Sequence, residues 1–403
     1  MPKLLQLNVT ANWGSTGKIA EGISVAAINR DWQAAIAYGR MANPSTAHMI
    51  KIGNKADVYA HYGLSRLMDA EGWGSRGATH SLLDKIDEYQ PNIIHLHNIH
   101  DHWLNYPALF RWLANSNIQV IWTMHDCWPF TGGCFHFVGN GCEKWKDGGC
   151  HSCPQRRGRI DQTSRHFALR QKLYDVRAGR LTIVSVSKWL DEMVGQSMLG
   201  SNPHMAIYNG IDTNIFRPLP TADIDSRYGL TGKIVITGVS NIWPESKGLN
   251  YFIALRRVLP DNYAIVIIGL TPKQIAALPD GIIGIPRTQN VTELAAFYTR
   301  SDMVMSLSTG ETFGLTIAEG MACGTPAIGF NTTSIGEIIS RDTGILVPYG
   351  DVAALRDAAV AIGSCNRVFG TEVCRRRVTT LFNKDIQFNR YVDLYENILN
   401  QSN

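Results

Sequence analysis

Glu311-Thr-Phe-Gly-Leu-Thr-Ile-Ala-Glu319, continued by Gly-Met-Ala-Cys-Gly-Thr-Pro326, reads as a turn that opens into a helix. The run before it, Asp302-Met-Val-Met-Ser-Leu-Ser308, has the length and apolarity of a short buried strand. From Thr316 to Cys323 the residues are small and apolar enough for a helix packed on a sheet. Strand, glycine turn and helix in that order belong to a parallel α/β sheet. A helix N-terminus formed near Gly314, Leu315 and Thr316 offers free backbone N–H groups and a positive dipole end, which suits a diphosphate. Glu311 and Glu319 would repel that anion. As acceptor-only groups they fit the hydroxyls of a nucleotide sugar, one acid facing the sugar and the other the ribose.

Outward from this stretch, the same alternation fills the second half of the chain. Lys233 to Thr237, Ala264 to Ile268, Gly281 to Ile285, Pro326 to Gly329 and Gly344 to Val347 join Met303 to Leu307 as strand candidates. Arg217-Pro-Leu-Pro220 is punctuated like a linker, and the first half before it repeats the pattern. There the strands expected are Leu4 to Val9, Gln33 to Tyr38, Ile93 to His97, Val120 to Met124 and Leu181 to Val186. A helix is expected from Gly17 to Asn29. Its approach, Gly14-Ser-Thr-Gly-Lys18, is a turn at which the backbone around Gly17 can come close to a donor phosphate or sugar. The full P-loop pattern is absent, which argues against triphosphate hydrolysis. Phe388, Tyr391, Val392, Tyr395, Ile398 and Leu399 recur at helical spacing and predict a terminal helix over 385–399.

Three features in this order carry a family resemblance: Ile207-Tyr-Asn-Gly-Ile-Asp-Thr-Asn-Ile-Phe-Arg-Pro218, the Glu311-x7-Glu319 element, and Gly324-Thr-Pro-Ala-Ile328. Together the chain resembles the retaining glycosyltransferases of family 4, from the first strand to the last helix. The resemblance implies the GT-B fold, two doubly wound Rossmann-like domains facing across a cleft. It implies an acceptor-side domain over 1–216 with a cysteine-rich insertion at 127–153, and a nucleotide-sugar domain over 217–384. The terminal helix, 385–403, would cross back to the first domain. His125-Asp-Cys-Trp-Pro-Phe-Thr-Gly132 and the cysteines after it resemble transferases that build bacterial exopolysaccharide or O-antigen units.

Composition sets outer bounds on this reading. The 403 residues fit two domains, and 45% hydrophobic with 18% charged residues describes a folded globular chain. A net charge of +4 accommodates nucleotide phosphates or anionic headgroups and is too small to argue for nucleic-acid binding. The first ten residues read as a strand, since their apolar run is short and interrupted, and no stretch of about eighteen apolar residues exists. The expected location is the cytoplasm, with any membrane contact peripheral and at its cytoplasmic face.

Residue roles follow from the resemblance, position by position. Lys247, in Gly238-Val-Ser-Asn-Ile-Trp-Pro-Glu-Ser-Lys-Gly248, resembles the family lysine on the diphosphate. Six residues earlier the family commonly has an arginine. Asn241 stands there on the donor side, which removes a charge and a bidentate phosphate donor. His125, closing Ile121-Trp-Thr-Met-His125, resembles the histidine near the donor sugar's reacting face. Glu311 is assigned to the sugar and Glu319 to the ribose, with Phe313, Gly314, Leu315 and Thr316 supplying backbone donors. Thr288-Gln-Asn290 is a candidate for the nucleobase.

Two histidine and acidic patterns have simpler readings as well. His95 and His97 share one strand face, open to metal binding or to lining a cleft. Asp223-Ile-Asp225 has the D-x-D pattern that holds a divalent metal in another transferase fold, but no strand precedes it, so a helix start is expected and catalysis should need no metal. Cys134, Cys142, Cys150 and Cys153 have the spacing C-x7-C-x7-C-x2-C among many glycines. Structural zinc, a disulfide or redox pair, and packed thiols are the three readings, with zinc favoured by the terminal C-x2-C in a reducing compartment.

The function expected is hexosyl transfer with retention, from a nucleotide sugar to a lipid-linked bacterial glycan. A GT-B sugar-nucleotide epimerase and a non-enzymatic nucleotide-sugar-binding protein are the alternatives.

Overall fold

The computed structural model describes residues 1–146, 148–156, 158–175, 180–364 and 369–402. The chain divides into two compact units, Met1–Tyr208 with Asp385–Asn403, and Asn209–Lys384. The division falls at Tyr208, before the expected 216, because residues 209–216 are tied to the second unit. Ile211 bridges Asn383, Lys384 Nζ donates to Asp212 Oδ2 at 2.6 Å, and Arg375 donates to the carbonyls of Thr213 and Phe216.

The first unit holds a seven-stranded parallel sheet: β1 (Lys3–Leu7), β2 (Gln33–Tyr38), β3 (His48–Lys51), β4 (Ile93–Leu96), β5 (Gln119–Met124), β6 (Leu181–Ser185) and β7 (His204–Ala206). Their order is β3-β2-β1-β4-β5-β6-β7. The central strands are apolar runs buried along their length, as strands covered by helices on both faces must be. β3 and β7 are edge strands that the sequence reading did not predict.

The last helix, Lys384–Ser402, packs in this unit. Phe388, Tyr391, Val392 and Tyr395 share a core with Leu4, Ile19, Ile23 and Trp32. Helix Gly14–Ile28 lies close beneath it at Gly22, where a Cβ would sit 2.1 Å from the Phe388 ring. Arg30 clamps the outer edge with salt bridges to Asp393 and Glu396.

The second unit repeats the plan with β8 (Ile234–Val239), β9 (Tyr263–Ile268), β10 (Ile282–Ile285), β11 (Met303–Ser306), β12 (Ala327–Phe330) and β13 (Gly344–Val347), in the order β10-β9-β8-β11-β12-β13. All pairings are parallel. Strand order reverses direction between β8 and β11, so the loops leaving their carboxyl ends diverge and open a crevice, the usual ligand position of such sheets. Asn241 and Lys247 lie in the segment after β8, and Glu311 in the loop after β11. Asp223 and Asp225 sit in helix Ala222–Tyr228, where they pair with Arg227 and Arg300, as a helix start predicts. Among the described residues, no helix is long and apolar enough to cross a membrane.

Candidate active site

At the switch point of the second unit, two loops are laced together. Gly248 makes this possible: its φ is +76°, and a Cβ there would meet the Leu307 carbonyl oxygen at 2.0 Å. Thr309 N–H donates to Ser246 O at 2.9 Å, closing the approach. Lys247 Nζ then reaches Glu311 Oε1 at 2.7 Å, with side-chain exposures of 30% and 19%. Ser308 Oγ donates to the same carboxylate oxygen at 2.7 Å, and Thr333 Oγ1 accepts the Glu311 N–H at 2.9 Å. The structure therefore brings together two residues 64 positions apart that the sequence assigned to sugar and diphosphate.

Helix Leu315–Ala322 begins at Gly314, whose φ of +103° and close contact with Ile335 leave no room for a side chain. The N–H groups of Leu315 and Thr316 stand in the first turn, where a helix supplies no internal acceptor. Phe313 is a core residue, its ring edge-on to Phe382 at 5.5 Å, so its contribution is confined to the backbone. One turn on, Glu319 Oε2 accepts from Tyr298 O–H at 3.1 Å. Gly320 beside it lets the helix lie on β11, since a Cβ would be 2.7 Å from Val304.

Other sequence candidates fall differently. Asn241 is exposed in the β8 loop. Asn290 caps helix Val291–Arg300 by accepting the Glu293 N–H at 2.8 Å, which occupies the side chain expected to meet a base. Gly17 has a packing reason: a Cβ would lie 2.7 Å from Thr10 Oγ1, so the helix after β1 could not close on its turn.

In the first unit, His125 directly follows β5 and its Nε2 lies 3.0 Å from His97 Nδ1. His97 Nε2 in turn faces Gln6 Oε1 at 2.8 Å, and His95 is held between Tyr395 O–H at 2.6 Å and Thr123 Oγ1 at 2.7 Å. His95 and His97 are thus committed to the core seam under the last helix. Burial pushes His125 down to about 4 and both of its neighbours well below the usual value. His125 is therefore neutral at pH 7.

Sequence reasoning missed the charged cluster next door. His100 Nε2 and Asp126 Oδ2 are 2.9 Å apart, and Asp101 Oδ2 lies 3.6 Å from His100 Nδ1. Burial opposes the charge on His100, yet Asp126 and Asp101 outweigh it and hold the imidazole up at about 10. Among the described residues, Glu71, His100 and Asp101 are the one triad of metal-capable atoms within 4.8 Å of one another. With His100 shared between two carboxylates, the triad reads as an ion-pair cluster. The adjacency of His100 and Asp101 was its local sequence signal, while the pairing with Asp126 comes from the neighbouring strands.

Residues 26–215 match the Glycosyltransferase Family 4 profile, and residues 233–364 match the profile of Glycosyl transferases group 1. The chain belongs to glycosyltransferase family 4. This family 4 glycosyltransferase is 22% identical to the Escherichia coli protein WcaC, named for colanic acid biosynthesis, over 98% of its own length and 100% of that protein. Its fold matches sucrose-phosphate synthase from Thermosynechococcus elongatus with a TM-score of 0.74 at 16% identity, covering all of both chains. It matches Anabaena HepE, solved with UDP and glucose, with a TM-score of 0.65 at 14% identity over 98% of each. The two parallel sheets are therefore those of a GT-B enzyme.

The cysteine-rich insertion of the transferase carries free thiols at Cys134, Cys142, Cys150 and Cys153. Burial pushes Cys134 up to about 12 and Cys150 up to about 11, and the neighbouring thiols add to the rise. Ser152, inside the C-x2-C turn, has a φ of +45°. The four sulfurs nonetheless stand wider apart than a closed tetrahedral shell, since no three of them form a group within 4.8 Å.

Proposed function

We propose that this transferase moves a hexose, with retention of configuration, from a nucleoside-diphosphate sugar to a hydroxyl of a lipid-linked bacterial glycan, in exopolysaccharide or O-antigen assembly at the cytoplasmic face of the membrane. The observation that carries this reading is the Lys247–Glu311 pair at the β8/β11 switch point, just ahead of a helix N-terminus. Lys247 and the N–H groups of Leu315 and Thr316 take the diphosphate, Glu311 a sugar hydroxyl, and Glu319 the ribose. His125, neutral, takes another sugar hydroxyl. The bond from the anomeric carbon to the diphosphate oxygen breaks with its electron pair on the phosphate. The acceptor oxygen bonds to the same face, and its proton passes to the departing phosphate oxygen. Charge develops on the leaving group, so fixed positive groups there lower the barrier.

A screen of nucleotide sugars against isolated lipid-linked intermediates, with a chelator present, tests the proposal. Transfer from one donor without free Mg2+ or Mn2+ is expected. Strict dependence on either ion, restored by adding it back, contradicts the role given to Lys247 and the helix end.

Cys134, Cys142, Cys150 and Cys153 are assigned to one structural zinc. Its support is the C-x7-C-x7-C-x2-C spacing and four free thiols that lie near enough for the neighbouring thiols to raise Cys134 and Cys150. Binding would draw the sulfurs together and deprotonate them, stabilising the insertion that follows His125. Elemental analysis of reduced protein, expressed with ample zinc, should find about one zinc per chain. Protein purified without chelator and holding none rules the site out.

A further inference from the structure

Helix Lys55–Met68 turns His61 and Ser65 inward and presents an apolar face to solvent. Tyr59 is 72% exposed and Leu67 55%, with Tyr62, Leu64 and Met68 beside them. At the helical repeat, Ala56, Ala60 and Gly63 fall on the same outward stripe as Tyr59 and Leu67. No acid lies on it: Asp57 faces away, accepting from Ser75 Oγ at 2.7 Å. The charges at its edge are Lys55 and Arg66.

A second segment extends the patch. Arg159 N–H donates to Arg66 O at 3.2 Å, and the Gln162 side-chain amide donates to Met68 O. This sets Ile160, 49% exposed, and the Arg159 side chain at the end of the helix, with Arg165 nearby over the Trp73 ring at 4.9 Å. Asp161 accepts the N–H groups of Cys153 and Thr163, so its charge is engaged locally. Glu71, just past the helix, accepts the Asp101 N–H at 3.1 Å, which ties this end of the helix to the segment that follows β4.

We propose that this face seats the transferase on an anionic bilayer, with Tyr59, Leu64, Leu67, Met68 and Ile160 in the headgroup boundary and Lys55, Arg66 and Arg159 against lipid phosphates. An apolar stripe at which Lys55, Arg66 and Arg159 outnumber the neighbouring Asp57 and Asp161, both held in local hydrogen bonds, complements such a surface in charge. The inference deepens the lipid-linked acceptor reading by naming the side from which that acceptor is met.

Flotation of the full chain with vesicles tests it. The protein should float with phosphatidylethanolamine–phosphatidylglycerol vesicles, far less with phosphatidylcholine alone, and less at high salt. Tyr59→Glu with Leu67→Glu should weaken that binding at least about tenfold. Arg66→Glu should weaken it by about fivefold or more, and only on the anionic vesicles. All three side chains are exposed, so melting temperatures should stay unchanged. Failure to float, or flotation that both variants leave intact, overturns the proposal. So does a dimer in size-exclusion chromatography that Leu67→Glu dissociates without any vesicle binding. The vesicles contain no acceptor glycan, so a failure here leaves the transfer reading standing, and absent transfer leaves the flotation result standing.

Discussion

Replacing Lys247 by Ala is expected to lower kcat roughly a hundred- to thousand-fold, the effect of removing one fixed charge that meets charge developing in a transition state. The fold should survive. Lys247 pairs with Glu311 near the surface, and partly exposed pairs of this kind contribute at most about 1 kcal/mol to stability. Glu311→Gln keeps the side-chain shape and the capacity to accept from Ser308 but loses the negative charge that anchors Lys247 and faces the sugar. Its rate should fall strongly as well. Measuring kcat at saturating donor, with thermal melts as the control for folding, decides the matter. Wild-type rates in both folded variants would remove these residues from the site.

Acidification should unfold the first unit before the second. All twelve histidines precede residue 209, so the second unit carries none. Burial pushes His61 down to about 4, His125 to about 4 and His166 to about 3, while His95 and His97 lie well below the usual value. Their folded pKa values are below the unfolded one near 6.5, so the unfolded chain takes up protons first. The stability they allow is intact above pH 6.5 and is lost as pH falls toward 4, by an amount on the order of several kcal/mol. His100 runs the other way: held up at about 10, it contributes below pH 6.5 and loses that contribution as pH rises toward 10. Calorimetry at pH 7 and pH 5 should show the first unit's transition moving down much further than the second's. Equal shifts of both transitions would contradict the histidine account.

Much of the fold was legible because both sheets are parallel and buried on two faces, which writes their strands as plain apolar runs. Gln33–Tyr38 and Gly344–Val347 follow the sequence expectation to the residue. β3 and β7 were missed for the opposite reason. At the sheet edge their side chains are half in water, and His48-Met-Ile-Lys51 and His204-Met-Ala206 show neither a run nor an alternation long enough to read. Glu311 and Lys247 were found through the family resemblance, whereas their ion pair depends on β8 and β11 being neighbours. The His100–Asp126 pair is hidden similarly, since it forms only because β4 and β5 lie side by side. Asn290 carried a local signal that was passed over: Asn followed by Glu three residues later is a helix start, and the structure uses it as one.

The anomeric configuration of the product tests the central claim most directly. Product formed from a nucleotide sugar of known anomer, examined by NMR before any equilibration, should keep the donor's configuration. That result follows if the leaving diphosphate, held by Lys247 and the helix after Gly314, receives the proton of a hydroxyl arriving on its own face. An inverted product would require a base on the opposite face of the sugar and would contradict the mechanism assigned to these residues.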